Sequence, residues 1–249
     1  FLALPHRAAM VYAPKLLDLG VKVIDLSADY RLDSAEAYER VYEHEHVDPD
    51  NLGRSAYGLP EFFRDRIAGA ELIANPGCYP TASALGAAPL IHHSLVRPER
   101  IIVNAASGVT GAGRKPAGHL HFPEVNEGFF AYGQVGGHRH QPEIEQSLTA
   151  VAGRETSVLF VPHLLPINQG ILATMYFEPT EPGISEEELF EAFERSYGEE
   201  PFVRLRDGLP NVSHVRGTNY CDLTVRLAGP SERPTIVVFS AIDNMIKGA

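Results

Sequence analysis

The chain has 249 residues, of which 44% are hydrophobic and 21% charged, and it carries a formal net charge of −11. That length can bury one large core or, as we expect here, two modest ones, and an acidic balance with no block of lysine or arginine argues against nucleic acid as a partner. Two cysteines, Cys78 and Cys221, build no disulfide framework and fit a reducing cytoplasm, and the apolar runs fall short of the roughly 18 residues a membrane helix needs.

Phe1-Leu-Ala-Leu reads as a buried strand and Pro5-His6 as the turn leaving it; the segment has neither the basic lead nor the long apolar core of a signal peptide. Ala8 to Leu19 carries apolar residues at helical spacing and stops at Gly20. Val21 to Leu26 is a second strand, closed by the polar turn Ser27-Ala-Asp-Tyr-Arg31. Strand, helix, strand with apolar ends argues for a parallel sheet covered by helices. Ligands of such sheets bind beyond the carboxyl ends of strands, which places Pro5, Ser27, Asp29 and Arg31 toward a ligand, with capping and turn chemistry as the competing reading of Ser27 and Asp29. Residues 34 to 56 are polar and charged and predict a solvated surface excursion.

The stretch Asn75-Pro76-Gly77-Cys78-Tyr79-Pro80-Thr81 follows an apolar run and leads into Ala82-Ser-Ala-Leu-Gly-Ala-Ala-Pro-Leu-Ile, so Cys78 stands where a strand hands over to a helix of small residues. A helix N-terminus presents unpaired N–H groups and partial positive charge, which favours thiolate and suits a nucleophile. The alternative is a small buried hydrophobe. From Ile101 the texture changes to strands and loops. Ile101 to Ala106 is a strand, followed by the Gly-rich run Ser107-Gly108-Val-Thr-Gly111-Ala-Gly-Arg-Lys-Pro, which does not match the dinucleotide fingerprint G-x-G-x-x-G. His119-Leu-His121 comes next, and then Gly-His138-Arg-His140-Gln-Pro-Glu-Ile-Glu. Pro142 and the glutamates start a helix, so both histidines lie just ahead of an N-terminus that biases an imidazole toward the neutral form a general base needs. Exposure or a metal site competes with that reading, but no acidic or sulfur ligand at zinc-like spacing completes either pair and no metal is expected. Further strands follow around His163, from Gly170, at Val203, from Asn219 with Cys221 as inert filling, and at Thr235 to Ser240. Ser185 caps a helix, and Ala241 to Ala249 reads as the start of another.

Ile24 to Leu32, Tyr57 to Glu61, Asn75 to Thr81, Gly111-Ala-Gly-Arg-Lys115, His121 to Glu127, His138 to Ile144 and Pro162 to Pro166 together resemble the N-acetyl-gamma-glutamyl-phosphate reductase family, across nearly the whole chain. That family is similar to aspartate-semialdehyde dehydrogenase. The resemblance implies an α/β protein with a Rossmann-type dinucleotide-binding domain, of which 1–77 would be a remainder, its N-terminal part and glycine fingerprint missing, so that cofactor binding would be poor. It also implies an α+β catalytic and dimerisation domain over 78–241 with a mixed, largely antiparallel sheet, and a C-terminal helix beginning in 242–249. The implied activity is NADPH-dependent reduction of an acyl phosphate to an aldehyde in arginine biosynthesis, through a thioester on Cys78. His140, with His138 beside it, would be the acid/base. Arg31 would hold the substrate phosphate, and Ser107, Gly108, Gly111 and Asn244 would contact NADP(H). The implied partners are the small-molecule acyl phosphate and further copies of the chain, as a dimer or tetramer in the cytoplasm, without nucleic acid or membrane. A lysine-pathway aminoadipyl-phosphate reductase and a Cys-His acyl hydrolase are the alternatives. The chain departs from the family pattern at His6-Arg7-Ala8-Ala9, where His-Gly is usual, and at Gln169, where arginine is.

Overall fold

The computed structural model describes residues 1–113 and 116–249. Arg114 and Lys115, the end of one motif quoted above, lie outside the described residues. Phe1–Gly77, grouped with Ala249, forms one compact unit and Cys78–Gly248 another.

In the first unit, strands β1 (Val23–Asp25), β2 (Ala56–Tyr57) and β3 (Leu72–Ala74) form a parallel sheet in the order β1-β3-β2. Leu2 joins through a single parallel bridge to Asp25, where a full strand was expected. Helix α1 (Ala9–Asp18) turns Ala9, Met10 and Ala13 into the core. Its chain exits through Gly20 at φ 72°, a left-handed conformation glycine adopts without a Cβ penalty. The expected solvated excursion is instead structured: Ser34 caps α2 (Ala35–Tyr42) by accepting the Ala37 N–H, and α3 (Pro49–Leu52) and α4 (Pro60–Gly69) follow. Tyr38, His46 and Leu52 are buried there. His46 tolerates burial because both ring nitrogens are used. Nδ1 accepts the Asp48 N–H at 3.2 Å, which puts the proton on Nε2, 2.7 Å from the Asp29 carbonyl.

The second unit is a mixed sheet in the order β5-β6-β4-β7-β10-β9-β8. Its strands are β4 (Ile101–Gly108), β5 (Phe130–Ala131), β6 (Val158–Leu165), β7 (Ile171–Phe177), β8 (Val203–Leu205), β9 (Cys221–Ala228) and β10 (Thr235–Ile242). The β4–β6 and β8–β9 pairs are parallel and the others antiparallel. Alternation sorts the faces. Val103, Ala105, Met175 and Val238 are buried, while Ile102, Asn104, Thr174, Tyr176, Val237 and Phe239 between them stay half-exposed.

Helix α5 (Cys78–His92) packs on β7 and β10 and against α7 (His140–Ala152) and α8 (Glu186–Tyr197), and its residues from Tyr79 to Ile91 are all buried. Its small residues allow that close seat: a Cβ on Gly86 would run into the buried Met175 side chain. Pro89, inside the helix, has no N–H for the carbonyl of Leu85. The Tyr197 phenol of α8 donates to that carbonyl at 2.6 Å instead. Two short helices, α6 (Phe122–Val125) and α9 (Val212–Val215), lie in the connections. The segment expected to start a helix at 242–249 does not: Ile242 ends β10, and the following residues close a turn. Gly248 N donates to Asp243 O at 2.9 Å, and the Asp243 carboxylate accepts the N–H groups of Met245 and Gly217. The same carboxylate that would favour a helix N-terminus is drawn across to Gly217. Among the described residues no helix is long and apolar enough to cross a membrane.

Candidate active site

β4, α7 and β6 make a βαβ crossover whose long connection leaves from the carboxyl end of β4, where ligands of parallel strands bind. Ser107 and Gly108 end that strand, and His138 to His140 begin the returning helix. Cys78 is the first residue of α5. These meet in one cavity of about 360 Å3, lined by Cys78, Ser107, Gly108, Gly111, His138 and His140, and also by Tyr79, Tyr132, His119 and Arg139. So six of the residues singled out in the sequence come together. No aspartate, glutamate or lysine lines the cavity among the described residues.

The two histidines differ. His140 is 7% exposed and opens α7. His138 Nδ1 accepts the His140 backbone N–H at 3.2 Å, so the neutral ring carries its proton on Nε2. It satisfies one of the donors a helix start leaves over. Burial first, and the Arg139 guanidinium second, lower His138 to about 4. The neutral form expected from a helix N-terminus is thus produced mainly by desolvation. The rings stand 5.0 Å apart, and both pack edge-on to Tyr79.

A phenol pair braces this wall. Tyr132 donates to the Tyr79 oxygen at 3.0 Å, and Tyr79 donates to the His163 carbonyl of β6 at 3.1 Å. Burial, and for Tyr79 next the neighbouring Tyr132, raises both phenols above the ordinary tyrosine value, so they stay protonated donors. Sequence reasoning missed Tyr132, which no spacing pattern marks. It also missed Gly248, where a Cβ would come within 2.9 Å of Cys78 Cβ.

The Gly-rich turn after β4 is held by its glycines. A Cβ on Gly108 would stand 2.6 Å from the Asn168 carbonyl oxygen, and one on Gly111 would stand 2.8 Å from Ser107 Oγ and 3.5 Å from Asn244 Nδ2. Gly111 thus packs beside the Ser107 hydroxyl, which donates to the Gly108 carbonyl at 3.0 Å, and the Asn244 amide. Asn244 itself is buried, with Oδ1 accepting from Gly170 N at 2.7 Å and Nδ2 donating to Thr110 Oγ1 at 3.0 Å. It ties the start of β7 to this turn.

Pro5, Ser27 and Arg31 belong to the first unit. Ser27 is engaged within its turn: its hydroxyl donates to Asp25 at 2.8 Å and accepts from Asp29 N at 3.1 Å. Asp29 in turn accepts the Arg7 and Met10 N–H groups at the start of α1, which realises the capping reading. Arg31 is 9% exposed and donates to the carbonyls of Asn75 and Leu26. Cys221 is fully buried in β9, its sulfur 3.5 Å from Ser240 Oγ. Among the described residues no group of three or more His, Cys, Asp or Glu stands together as a metal site would.

Comparison with known proteins gives the chain's family and fold. The family described as semialdehyde dehydrogenase, dimerisation domain, matches residues 78–244, and semialdehyde dehydrogenase, NAD binding domain, matches residues 1–70. The second match corrects the expectation of a remainder whose N-terminal part is missing: the NAD-binding domain is present. Such a domain is defined by parallel strands joined through covering helices, which these residues form; the glycine fingerprint is one turn's solution to phosphate approach. The chain is 49% identical to proteins named N-acetyl-gamma-glutamyl-phosphate reductase from Pelobacter propionicus and Symbiobacterium thermophilum, over its whole length and 71% of theirs. Aspartate semialdehyde dehydrogenase II from Vibrio cholerae shares the fold, with a TM-score of 0.73 at 18% identity over 99% of this chain and 74% of that one. A probable aspartate-semialdehyde dehydrogenase from Pseudomonas aeruginosa gives 0.71 at 17% identity, covering 99% of this chain and 74% of that one.

Proposed function

This chain belongs to the N-acetyl-gamma-glutamyl-phosphate reductase family, and we propose from that membership and from the cavity at Cys78 how its residues carry the reaction. It catalyses the NADPH-dependent reduction of N-acetyl-glutamyl 5-phosphate to the semialdehyde in arginine biosynthesis. Cys78 Sγ attacks the acyl carbon, the C–O bond to phosphate breaks with its electron pair leaving on phosphate, and a thioester remains on Cys78. NADPH, when bound, supplies the hydride that reduces the thioester carbon. His140 takes the thiol proton in the first half; in the second it gives that proton to the Cys78 sulfur as the tetrahedral oxyanion re-forms its carbonyl, the C–S bond breaks and the aldehyde leaves. His138 holds the start of the helix that carries that imidazole, by accepting the His140 backbone N–H at 3.2 Å. Ser107, Gly108, Gly111 and Asn244 would hold the nicotinamide end of the cofactor, with Pro5 and Ser27 assigned to the first domain's share of the contacts.

The observation that carries the reading is the placement of Cys78 on the first residue of a helix in a cavity that, among the described residues, has no acidic lining and three histidines, His119, His138 and His140. The half-exposed sheet face bearing Tyr176, Val237 and Phe239 is where a second copy would dock, in line with the dimerisation-domain match. Two cysteine thiols without a disulfide support a cytoplasmic setting. The test is mass spectrometry of the protein with substrate and no cofactor, looking for an acyl adduct on Cys78, followed by loss of NADPH absorbance when cofactor is added. An acyl hydrolase using the same cysteine and histidine would release phosphate without consuming NADPH, and that outcome would sink the reductase reading.

A further inference from the structure

The cavity at Cys78 carries a charge the reaction above does not use. Among the described residues that line it, Arg139 is the one permanently charged side chain, in a chain whose net charge is −11. Arg139 stands between the two histidines in sequence, yet it is exposed where His138 is half-buried and His140 buried. Its charge reaches inward all the same, since it acts on both His138 and the Tyr132 phenol. An exposed arginine whose field enters a cavity without carboxylates is an anion selector at its rim. A planar guanidinium also matches a carboxylate in bidentate fashion.

Two anionic groups of the substrate compete for that role. The phosphate is bonded to the carbon that Cys78 attacks, so it stays beside the half-buried sulfur until it departs. The α-carboxylate is four bonds further along the chain, roughly 5 Å away when extended at about 1.5 Å per bond. With the acyl carbon at the sulfur, a group about 5 Å away comes within reach of the other side chains of the same cavity, and Arg139 is the charged one among those described. Resting on the reductase reading, we propose that Arg139 is a specificity-determining residue that binds the substrate's α-carboxylate, the anionic group retained from acyl phosphate to aldehyde.

Steady-state kinetics of the full chain in the aldehyde-oxidising direction test this, with N-acetylglutamate semialdehyde, inorganic phosphate and NADP+ varied in turn. Arg139→Gln should raise KM for the semialdehyde by roughly 10- to 100-fold, with KM for phosphate held within about twofold. It should also erase the preference for the semialdehyde over 4-acetamidobutanal, the same aldehyde without its carboxylate. Arg139→Lys should keep part of that preference and, as the milder change, should show the same split between the two KM values if the glutamine variant fails to fold. An unmoved KM for the semialdehyde, a rise in the phosphate KM instead, or equal losses on both aldehydes overturns the proposal. A wild-type chain that shows no phosphate-dependent NADP+ reduction overturns the reductase reading itself, a result distinguishable because it needs no variant.

Discussion

A cysteine and a histidine that meet in one cavity make separate demands on their surroundings. Cys78→Ser replaces the sulfur with a hydroxyl that is a far weaker nucleophile near neutrality, and we expect reductase activity to fall by at least about 10³-fold while circular dichroism stays unchanged. His138 offers a test independent of catalysis. Its folded value of about 4 lies below the ordinary 6.5, so protons prefer the unfolded chain. The stability it confers is therefore complete above pH 6.5 and is lost as pH falls toward about 4, on the order of 2 kcal/mol after allowance for its partial exposure. Thermal unfolding followed over that window should show a steeper fall for the wild type than for His138→Asn, whose amide oxygen can still accept the His140 N–H. Equal slopes would mean that His138 is not held neutral by burial. Cys78 was legible in the sequence because a Pro-Gly turn and a helix start bracket it. Tyr132 was not, because its tie to Tyr79 spans 53 positions of the chain.

Two elements are shaped by a single atom each. In α5, Pro89 leaves the Leu85 carbonyl to the Tyr197 phenol, so Tyr197→Phe should cost about 1–3 kcal/mol, read by denaturant unfolding. Pro89→Ala in the same background restores an N–H to that carbonyl. The double variant should then lose less than Tyr197→Phe alone, and an additive result would count against the link. At the end of β4, a Cβ on Gly108 would press on backbone atoms of Ile167 and Asn168 rather than on a side chain that can swing away. Gly108→Ala should shift the turn that carries Ser107 and Gly111 into the cavity, with KM for NADPH rising several-fold or more. Unchanged cofactor affinity would remove that turn from the binding site. The sequence marks Gly108 as a Gly-rich turn without telling why glycine is needed. The reason is the Ile167–Asn168 segment, some 60 residues away in the chain.

At the level of the molecule, the sheet of the second unit leaves one face half-exposed, with Tyr176, Val237 and Phe239 among its residues. A face of that composition in a domain matched as a dimerisation domain should be covered by a second copy. Val237→Arg places a charge at that contact and should shift the light-scattering mass to that of one chain; an unchanged mass would move the interface elsewhere. The helix-then-strand order from Ala8 to Leu26, the Cys78 turn and the His138-Arg-His140 start of α7 were determined by the sequence alone, because turn residues, capping and apolar spacing act over a few neighbouring positions. Which histidine is shielded, which carbonyl Tyr197 satisfies, that His46 is a core residue and that the chain after β10 turns instead of forming a helix were decided only by tertiary structure. Burial, and the partners of a buried polar group, come from segments far apart in sequence, and no local pattern carries that information.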